Sequence, residues 1–197
     1  MATCPKLIII AEHQACAHTQ DWLQRIQDYA ALLEYYPSVV LQLRAKNTPQ
    51  LLEKAYHMLS SHTRIFVNTT PEHAKQLNLH NLHIPQRHIP RENLASTFGI
   101  SIHQLEDVAE YTFLKPLYFQ FGPIFDPLSK NGHGCGLEAL SQILYHSTIP
   151  IVAVGGITPP KARILFDMGC TGVASIGYMM HHSNPRQALD DFFEVYS

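Results

Sequence analysis

The stretch IVAVGGITPPKARILFDMGCTGVASI, residues 151–176, decides the fold because it contains a complete strand, helix and strand repeat. Its two ends, 151–154 and 172–176, are short apolar runs bounded by glycine or proline. Such runs are typical of strands that are covered on both faces. Residues 159–168, between the two runs, have the amphipathic pattern of a helix. The stretch therefore predicts a parallel β-α-β unit.

The same alternation of apolar runs and amphipathic segments continues along the whole chain. Six further runs predict strands at residues 7–11, 39–43, 64–67, 81–84, 98–102 and 117–121. Further helices are predicted at residues 21–33, 49–59, 71–77, 104–111, 136–145 and 185–195. The segment 90–95, after the fourth strand, is too short and too polar to assign to a helix. Eight strands alternating with helices indicate parallel β-α-β units throughout.

Two architectures fit this alternation, a closed (β/α)8 barrel and an open doubly wound sheet. The dinucleotide-binding version of the open sheet needs a GxGxxG motif after the first strand, and none follows residues 7–11. The length of 197 residues suits one domain near the small end for an eight-stranded barrel. We therefore predict an α/β chain that forms a single (β/α)8 TIM-barrel domain over residues 1–197.

The charge and the cysteine content argue against several classes of protein. A formal net charge of −2 gives no electrostatic reason to expect nucleic acid or an anionic membrane as a partner. The four cysteines form no CxxC pair and the first apolar run is too short to span a bilayer, so we expect a cytoplasmic protein. The thirteen histidines are scattered without an HExxH motif, and the sequence leaves open whether the protein is a homo-oligomer.

The loops after the strands hold the candidates for chemistry, because a parallel barrel builds its active site from them. Alternation places Gln42, Arg44 and Lys46 on one side at the end of the second strand, where two cations and an amide suit an anionic ligand. The long loop 126–136 is typical of a mobile lid and carries Lys130, which could reach a phosphate. A solvated basic loop end and a plain surface lysine are the alternatives.

Glycines follow the seventh and eighth strands. Gly155 and Gly156 come directly after the seventh strand, and Gly177 follows Ile176 at the end of the eighth. A glycine lets backbone N–H groups approach a phosphate closely, and a phosphate site made by these two loops recurs in barrels. We therefore predict a phosphate site here, with a simple turn as the alternative.

Together these motifs resemble the thiamine-phosphate synthase / TenI family over nearly the whole chain. The resemblance is carried by QLRAK (42–46), NLHIPQRHIP (81–90), GISIH (99–103), FGPIF (121–125) with SK (129–130), VAVGGI (152–157) and MGCTGVASI (168–176). Their order and spacing match the family, and QLRxK, GPIF and GGI in register are specific to it. The resemblance implies a TIM barrel with its active site at the carboxyl ends of the strands, and a role in thiamine biosynthesis.

The resemblance also implies a reaction and its small-molecule substrates. The synthase joins a hydroxymethylpyrimidine diphosphate to a thiazole phosphate and releases diphosphate. The pyrimidine–diphosphate bond ionises to a carbocation, which the thiazole nitrogen captures. Arg44 and Lys46 match positions that hold the pyrimidine diphosphate, and Lys130 matches a position at the diphosphate end. These three residues are the implied catalytic cations.

Other positions match the family's substrate-binding residues. Asn68 matches the asparagine of an Asn-Asp pair, and Ser101 matches a contact to the diphosphate. Gly156 and the turn at 176–177 match the cradle for the thiazole phosphate, although the family often has serine where Gly177 stands. The full implied set is Gln42, Asn68, Ser101, Gly122, Gly155, Gly156, Ile176 and Gly177.

Two positions depart from the synthase pattern, and both concern the metal. The family's synthases hold Mg²⁺ on the diphosphate with two aspartates, and this chain has Thr69 and His88 at those positions. Because hard Mg²⁺ prefers carboxylate oxygens, we assign no metal ligand. Either metal binding is lost, or the cations Arg44, Lys46 and Lys130 neutralise the diphosphate alone, or the activity differs.

Two other functions therefore stay open beside the synthase. TenI-type relatives act as thiazole tautomerases with a histidine in the GPIF region, where this chain has Pro123. His103 and His88 are the alternative acid–base groups for such a reaction. A non-catalytic protein that binds phosphate ligands or regulates is the third possibility. The retained pyrimidine-side residues favour the synthase.

Overall fold

The computed structural model describes residues 3–92, 94–126 and 133–195, and its strands form a closed parallel barrel. The strands pair in chain order, and the last pairs with the first. They are β1 (Leu7–Glu12), β2 (Val39–Arg44), β3 (Ile65–Asn68), β4 (Asn81–Ile84), β5 (Thr97–Ile102), β6 (Tyr118–Phe121), β7 (Ile151–Val154) and β8 (Gly172–Ser175). The predicted (β/α)8 TIM barrel is confirmed, and the open sheet is wrong.

Helices follow most strands. They are α1 (Thr19–Leu32), α2 (Pro49–Met58), α3 (Pro71–Gln76), α4 (Leu105–Tyr111), α5 (Gly136–His146), α6 (Pro159–Asp167), α7 (Gly177–His181) and α8 (Pro185–Glu194). Four of them begin at proline, whose fixed φ and missing N–H suit a first helical turn. A 3-10 turn, Gln86–His88, takes the place of a helix after β4. In the described ranges no helix is long and apolar enough to cross a membrane.

The short helix α7 was not predicted from the sequence. Ile176, expected to end the eighth strand, lies just beyond β8 as the residue before α7. Helix α7 has only five residues, so it shows too little periodicity to be recognised in a sequence window. Tyr29 on α1 donates a hydrogen bond of 2.6 Å from its hydroxyl to the Met179 carbonyl oxygen, and this bond holds α7 in place from outside.

The barrel interior is filled by the residues that alternate inward along each strand. An apolar cluster of these residues comprises Ile8, Ile10, Val40, Phe66, Tyr118, Val152 and Ala174. Gly99 makes room for the Tyr118 ring, since a Cβ on Gly99 would lie 2.2 Å from Tyr118 Cζ. Buried polar side chains continue the same inward-facing rows, at Glu12, Gln42, His83 and Gln120. The interior therefore becomes polar toward the carboxyl ends of the strands.

The outer face of the barrel carries the larger apolar core, which packs beneath the helices. Trp22 on α1 is fully buried there, and its indole Nε1 donates a hydrogen bond of 3.1 Å to the Ala11 carbonyl oxygen. Truncating a buried tryptophan costs about 3–5 kcal/mol. Helix α1 therefore fixes the end of β1, next to the buried Glu12.

Candidate functional site

Two cavities open on the rim that is formed by the carboxyl ends of the strands. The first, which we call the cationic pocket, has a volume of about 300 Å³ and lies beyond β2, β3 and β4. The second, which we call the glycine pocket, has a volume of about 410 Å³ and lies beyond β7 and β8. Strand β1 pairs with β2 on one side and β8 on the other. Both pockets therefore share one face of the barrel, on either side of β1.

The cationic pocket has a positively charged lining. Its described lining residues are Arg44, Ala45, Lys46, Asn47, Pro49, Leu52, Asn68, Thr69, Thr70, His73, Pro85, Arg87 and His88. Three of these side chains are arginine or lysine, and none of the described ones is aspartate or glutamate. A cleft lined by one sign of charge concentrates ligands of the opposite sign. The pocket therefore suits a polyanion.

Arg44 is anchored at the edge of this pocket by an ion pair that the sequence did not predict. Its guanidinium contacts the carboxylate of Glu12, which pairs with it in register from the neighbouring strand β1. Burial, and then the positive charge of Arg87, lower the pKa of Arg44 below its ordinary value. The Glu12 carboxylate offsets the free-energy cost of burying the charged guanidinium and holds it in one position.

The two expected metal positions do not present carboxylates. The Thr69 hydroxyl oxygen lies 2.8 Å from His73 Nδ1, and Arg87 Nε donates a hydrogen bond of 3.0 Å to His88 Nε2. In the part of the chain that the structure describes, no group of three or more His, Cys, Asp or Glu is placed to hold a metal ion. These residues do not fit the oxygen-rich, anionic ligand set that Mg²⁺ requires.

Buried amides lie on the inward-facing side of the barrel. Gln42 is fully buried, and neither its Oε1 nor its Nε2 has a hydrogen-bond partner. Gln120 Oε1 and Glu12 Oε1 are also buried without a partner. A buried polar atom without a partner costs about 1–3 kcal/mol, so such atoms point to water or a ligand. These unpartnered atoms are available to a polar ligand that enters the barrel mouth.

A hydrogen-bonded network lies in the interior at β4, β5 and β6. His83 is fully buried, with Nε2 2.8 Å from the Ser101 hydroxyl oxygen and Nδ1 3.2 Å from the Tyr118 hydroxyl oxygen. Burial, and then the charge of Arg44, lower the pKa of His83 to about 3. The imidazole is therefore neutral at pH 7 and offers one donor and one acceptor. It fixes the orientation of Ser101.

The glycine pocket is built by a close contact between two loops. Gly155 and Gly156 have φ of +102° and +63°, values that favour glycine. A Cβ on Gly155 would lie 2.4 Å from Pro123 Cβ, and one on Gly156 would lie 2.8 Å from the Asp126 carbonyl oxygen. Both glycines are therefore required for the GPIF segment to pack against the end of β7.

Hydrogen bonds and a cation–π contact hold the walls of the glycine pocket. Lys161 Nζ donates a hydrogen bond of 3.1 Å to the Gly156 carbonyl oxygen and lies 4.6 Å from the centre of the Phe125 ring. The Tyr178 hydroxyl donates to the Asp191 carboxylate on α8. These contacts fix the backbone after both strands, so the pocket is preorganised.

The structure brings together most of the predicted site residues, in two groups. Arg44, Lys46 and Asn68 line the cationic pocket, whereas Gly155, Gly156, Ile176 and Gly177 line the glycine pocket. The other predicted residues are not among the described lining of either pocket. Gln42 and Ser101 lie in the barrel interior, and a Cβ on Gly122 would lie 2.1 Å from the Val154 carbonyl oxygen. Lys130 lies outside the described residues.

Some residues of the site were missed by the sequence analysis. They are Glu12, His73, His83, Arg87, Gln120 and Lys161. Glu12 is the last residue of β1, so a search of strand ends in the sequence could have found it. Nothing in the local sequence marks Arg87, which reaches the cationic pocket from a turn beyond β4.

Sequence comparisons relate the chain to one family. The family model for thiamine monophosphate synthase matches residues 7–178. A thiamine-phosphate synthase from Staphylococcus epidermidis is 26% identical over 164 residues, which cover 79% of this chain and 77% of that protein. Another from Neisseria meningitidis is 24% identical over 191 residues, which cover 90% of this chain and 91% of that protein.

The fold is shared with solved structures. A thiamine phosphate pyrophosphorylase from Pyrococcus furiosus superposes with a TM-score of 0.73 at 20% identity, and 96% of this chain and 94% of that chain are covered. One from Bacteroides thetaiotaomicron gives a TM-score of 0.65 at 20% identity, with 97% and 95% covered. Because the family model matches the chain from β1 into α7, including all described lining residues of the cationic pocket and those of the glycine pocket up to Tyr178, this chain belongs to the thiamine monophosphate synthase family.

Proposed function

We propose that this protein is a thiamine-phosphate synthase, a transferase that couples hydroxymethylpyrimidine diphosphate to thiazole phosphate and releases diphosphate. The observation that carries the proposal is the pair of pockets, one cationic and one lined by glycines, on one rim of the barrel. The reaction joins two molecules that each carry phosphate, so it needs two anion sites within reach of each other. The family of the chain supports the same assignment.

The cationic pocket would act on the leaving group. The bond between the pyrimidine methylene carbon and the diphosphate oxygen breaks, and both electrons leave with the diphosphate. Negative charge therefore grows on the leaving oxygen, where Arg44 and Lys46 would stabilise it. Lys130, in the segment outside the described residues, has the same proposed role. The lone pair of the thiazole nitrogen then forms the new C–N bond to the methylene cation.

Neutral groups would orient the two rings. The unpartnered amide of Gln42 would pair with the polar edge of the pyrimidine, and Asn68 and Ser101 would contact its diphosphate. In the glycine pocket, backbone N–H groups at Gly156 and Gly177 would hold the thiazole phosphate. Binding of both rings at one rim would exclude water, which otherwise competes for the cation.

Diphosphate release from the purified protein tests this function directly. Release should require the pyrimidine diphosphate and rise when thiazole phosphate is added, with thiamine phosphate as the product. Arg44→Gln should lower the rate by about 10-fold or more, because a charge-assisted bond contributes about 1.5–3 kcal/mol. Arg163→Gln is the matched control, since Arg163 is exposed on α6 and pairs with Asp167. No release, while a thiamine-phosphate synthase from another organism works in the same assay, would refute the proposal.

One observation favours a second candidate, an isomerase that acts on a thiazole phosphate. His103 Nδ1 lies 2.9 Å from the Gly122 carbonyl oxygen, which places an imidazole beside the GPIF segment. An isomerase would change the ultraviolet spectrum of the thiazole without pyrimidine diphosphate, and His103→Gln would abolish the change. A protein that only binds would show thermal stabilisation by thiazole phosphate and neither reaction.

A further inference from the structure

We infer that the cationic pocket binds diphosphate without a divalent metal ion, because threonine and histidine stand where carboxylates would be needed to hold one and positive side chains line the same pocket. This inference rests on the proposed function, since it concerns the site assigned to the leaving diphosphate. The inference goes beyond the proposed function because it requires the protein to bind inorganic diphosphate by itself, without a metal ion. The observations that support it are the charges, the hydrogen bonds and the anchoring of the pocket.

The charge balance of the lining is the first observation. Arg44, Lys46 and Arg87 face one cavity of about 300 Å³, and none of its described lining residues is acidic. A divalent cation placed in that cavity would be repelled by Lys46 and Arg87 and, less strongly because Glu12 pairs with it, by Arg44, whereas diphosphate would be attracted by these cations. The lowered pKa of Arg44, in part caused by Arg87, indicates that the two guanidinium groups already repel each other. An anion between them would relieve this repulsion.

The hydrogen bonds of Thr69 and His88 are the second observation. His88 Nε2 accepts from Arg87 Nε, so the ring nitrogen that faces Arg87 is occupied by a cationic donor. The Thr69 hydroxyl is paired with His73 Nδ1, 2.8 Å away. Both side chains are therefore already hydrogen-bonded within the lining, and neither is a carboxylate. Such groups can donate a hydrogen bond to a phosphate oxygen, but they supply no negative charge for a metal ion.

The anchoring of Arg44 is the third observation. Glu12 is 6% exposed and holds the Arg44 guanidinium at the pocket edge, so this arginine loses little conformational freedom when it binds an anion. A guanidinium presents a planar fork of donors that matches two phosphate oxygens at once. The pocket thus contains a preorganised arginine for the charge that a metal ion would otherwise neutralise.

Calorimetric titration with inorganic diphosphate tests the inference. The buffer should be freed of metal with a chelating resin, because soluble EDTA is itself a polyanion and would compete for the pocket. We expect saturable binding without metal, unchanged within about twofold when Mg²⁺ is added at fixed free diphosphate. Binding that appears only with Mg²⁺ would overturn the inference and leave the proposed synthase standing. Absence of binding in both buffers, while thiazole phosphate still binds the glycine pocket, would overturn both.

Two variants sharpen the test. Arg87→Gln should weaken metal-free diphosphate binding about 10-fold, a modest loss because Arg87 is exposed, whereas the remote control Arg163→Gln should not change it. The double variant Thr69→Asp with His88→Asp adds two carboxylates and should reverse the requirement, so that diphosphate binds only with Mg²⁺. If Arg87→Gln leaves the affinity unchanged, the assignment of the cationic lining is wrong. The Arg87 result decides this even if the double variant does not fold.

Discussion

The ion pair between Arg44 and Glu12 allows binding and stability to be separated by substitution. Arg44→Ala removes a cation from the cationic pocket and also leaves the Glu12 carboxylate buried without its partner. Glu12→Gln in the same chain removes that uncompensated charge but does not return a cation to the pocket. The single and double variants together therefore distinguish the two roles of Arg44.

The expected magnitudes differ for the two roles. Breaking a buried ion pair by removing one partner costs about 3–5 kcal/mol, and we expect the lower end because the Arg44 side chain is 22% exposed. For a chain of this size about 3 kcal/mol lowers the Tm by roughly 6–12 °C. The loss of one charge-assisted interaction, about 1.5–3 kcal/mol, should weaken binding of the pyrimidine diphosphate by about 10- to 150-fold.

Thermal unfolding and calorimetric titration measure these quantities. Adding Glu12→Gln to Arg44→Ala should recover most of the lost Tm and none of the lost affinity for the pyrimidine diphosphate. Affinity for thiazole phosphate should stay within about twofold in all variants, because the glycine pocket shares no lining residue with the cationic pocket among the residues described. Equal loss for both ligands, or an unchanged Tm in Arg44→Ala, would refute the reasoning.

Three further predictions use single substitutions elsewhere in the site. Gln42→Met removes two unpartnered buried atoms, so it should raise the free energy of unfolding, measured by urea titration, by about 1–3 kcal/mol. The same variant should bind the pyrimidine diphosphate more weakly. A lower free energy of unfolding would contradict this prediction. Since the pKa of His83 is lowered by burial to about 3, the unfolded state binds the extra proton first as pH falls. The contribution of His83 to the free energy of unfolding should therefore decrease by about 1.4 kcal/mol per pH unit from pH 6.5 toward 3. Urea titrations at several pH values should show a pH dependence that is smaller by this amount in His83→Asn. Gly156→Ala strains a residue with φ of +63°, so it should weaken the binding of thiazole phosphate in calorimetry but leave the binding of diphosphate unchanged. An equal loss of affinity for both ligands would show a general folding defect instead.

The alternation of apolar runs was sufficient to predict the barrel. Each strand is encoded by four to six consecutive residues, and each helix by a local period, so both can be identified without tertiary contacts. The strand ends could be predicted to within one or two residues, and they located Arg44, Asn68 and the two glycines at the rim. The helix α7 was not predicted, because its five residues make fewer than two turns and show no period in the sequence.

The site itself depends on contacts between residues that are distant in the chain. The sequence placed Gln42, Arg44 and Lys46 on one side of β2, but only the register of β1 with β2 put Glu12 beside Arg44. The barrel closure similarly placed His83 against Tyr118, 35 residues away.

What the sequence determined by itself was the fold, the rim on which the site lies and the absence of the two expected aspartates. Only the tertiary structure decided that Arg87, on the turn beyond β4, lines the same pocket as Arg44 and Lys46 from the end of β2. The physical reason is that strand and helix patterns arise from neighbouring residues, whereas electrostatic interactions act through space. Their sum at one point depends on charges from several loops, which are brought together only when the barrel closes.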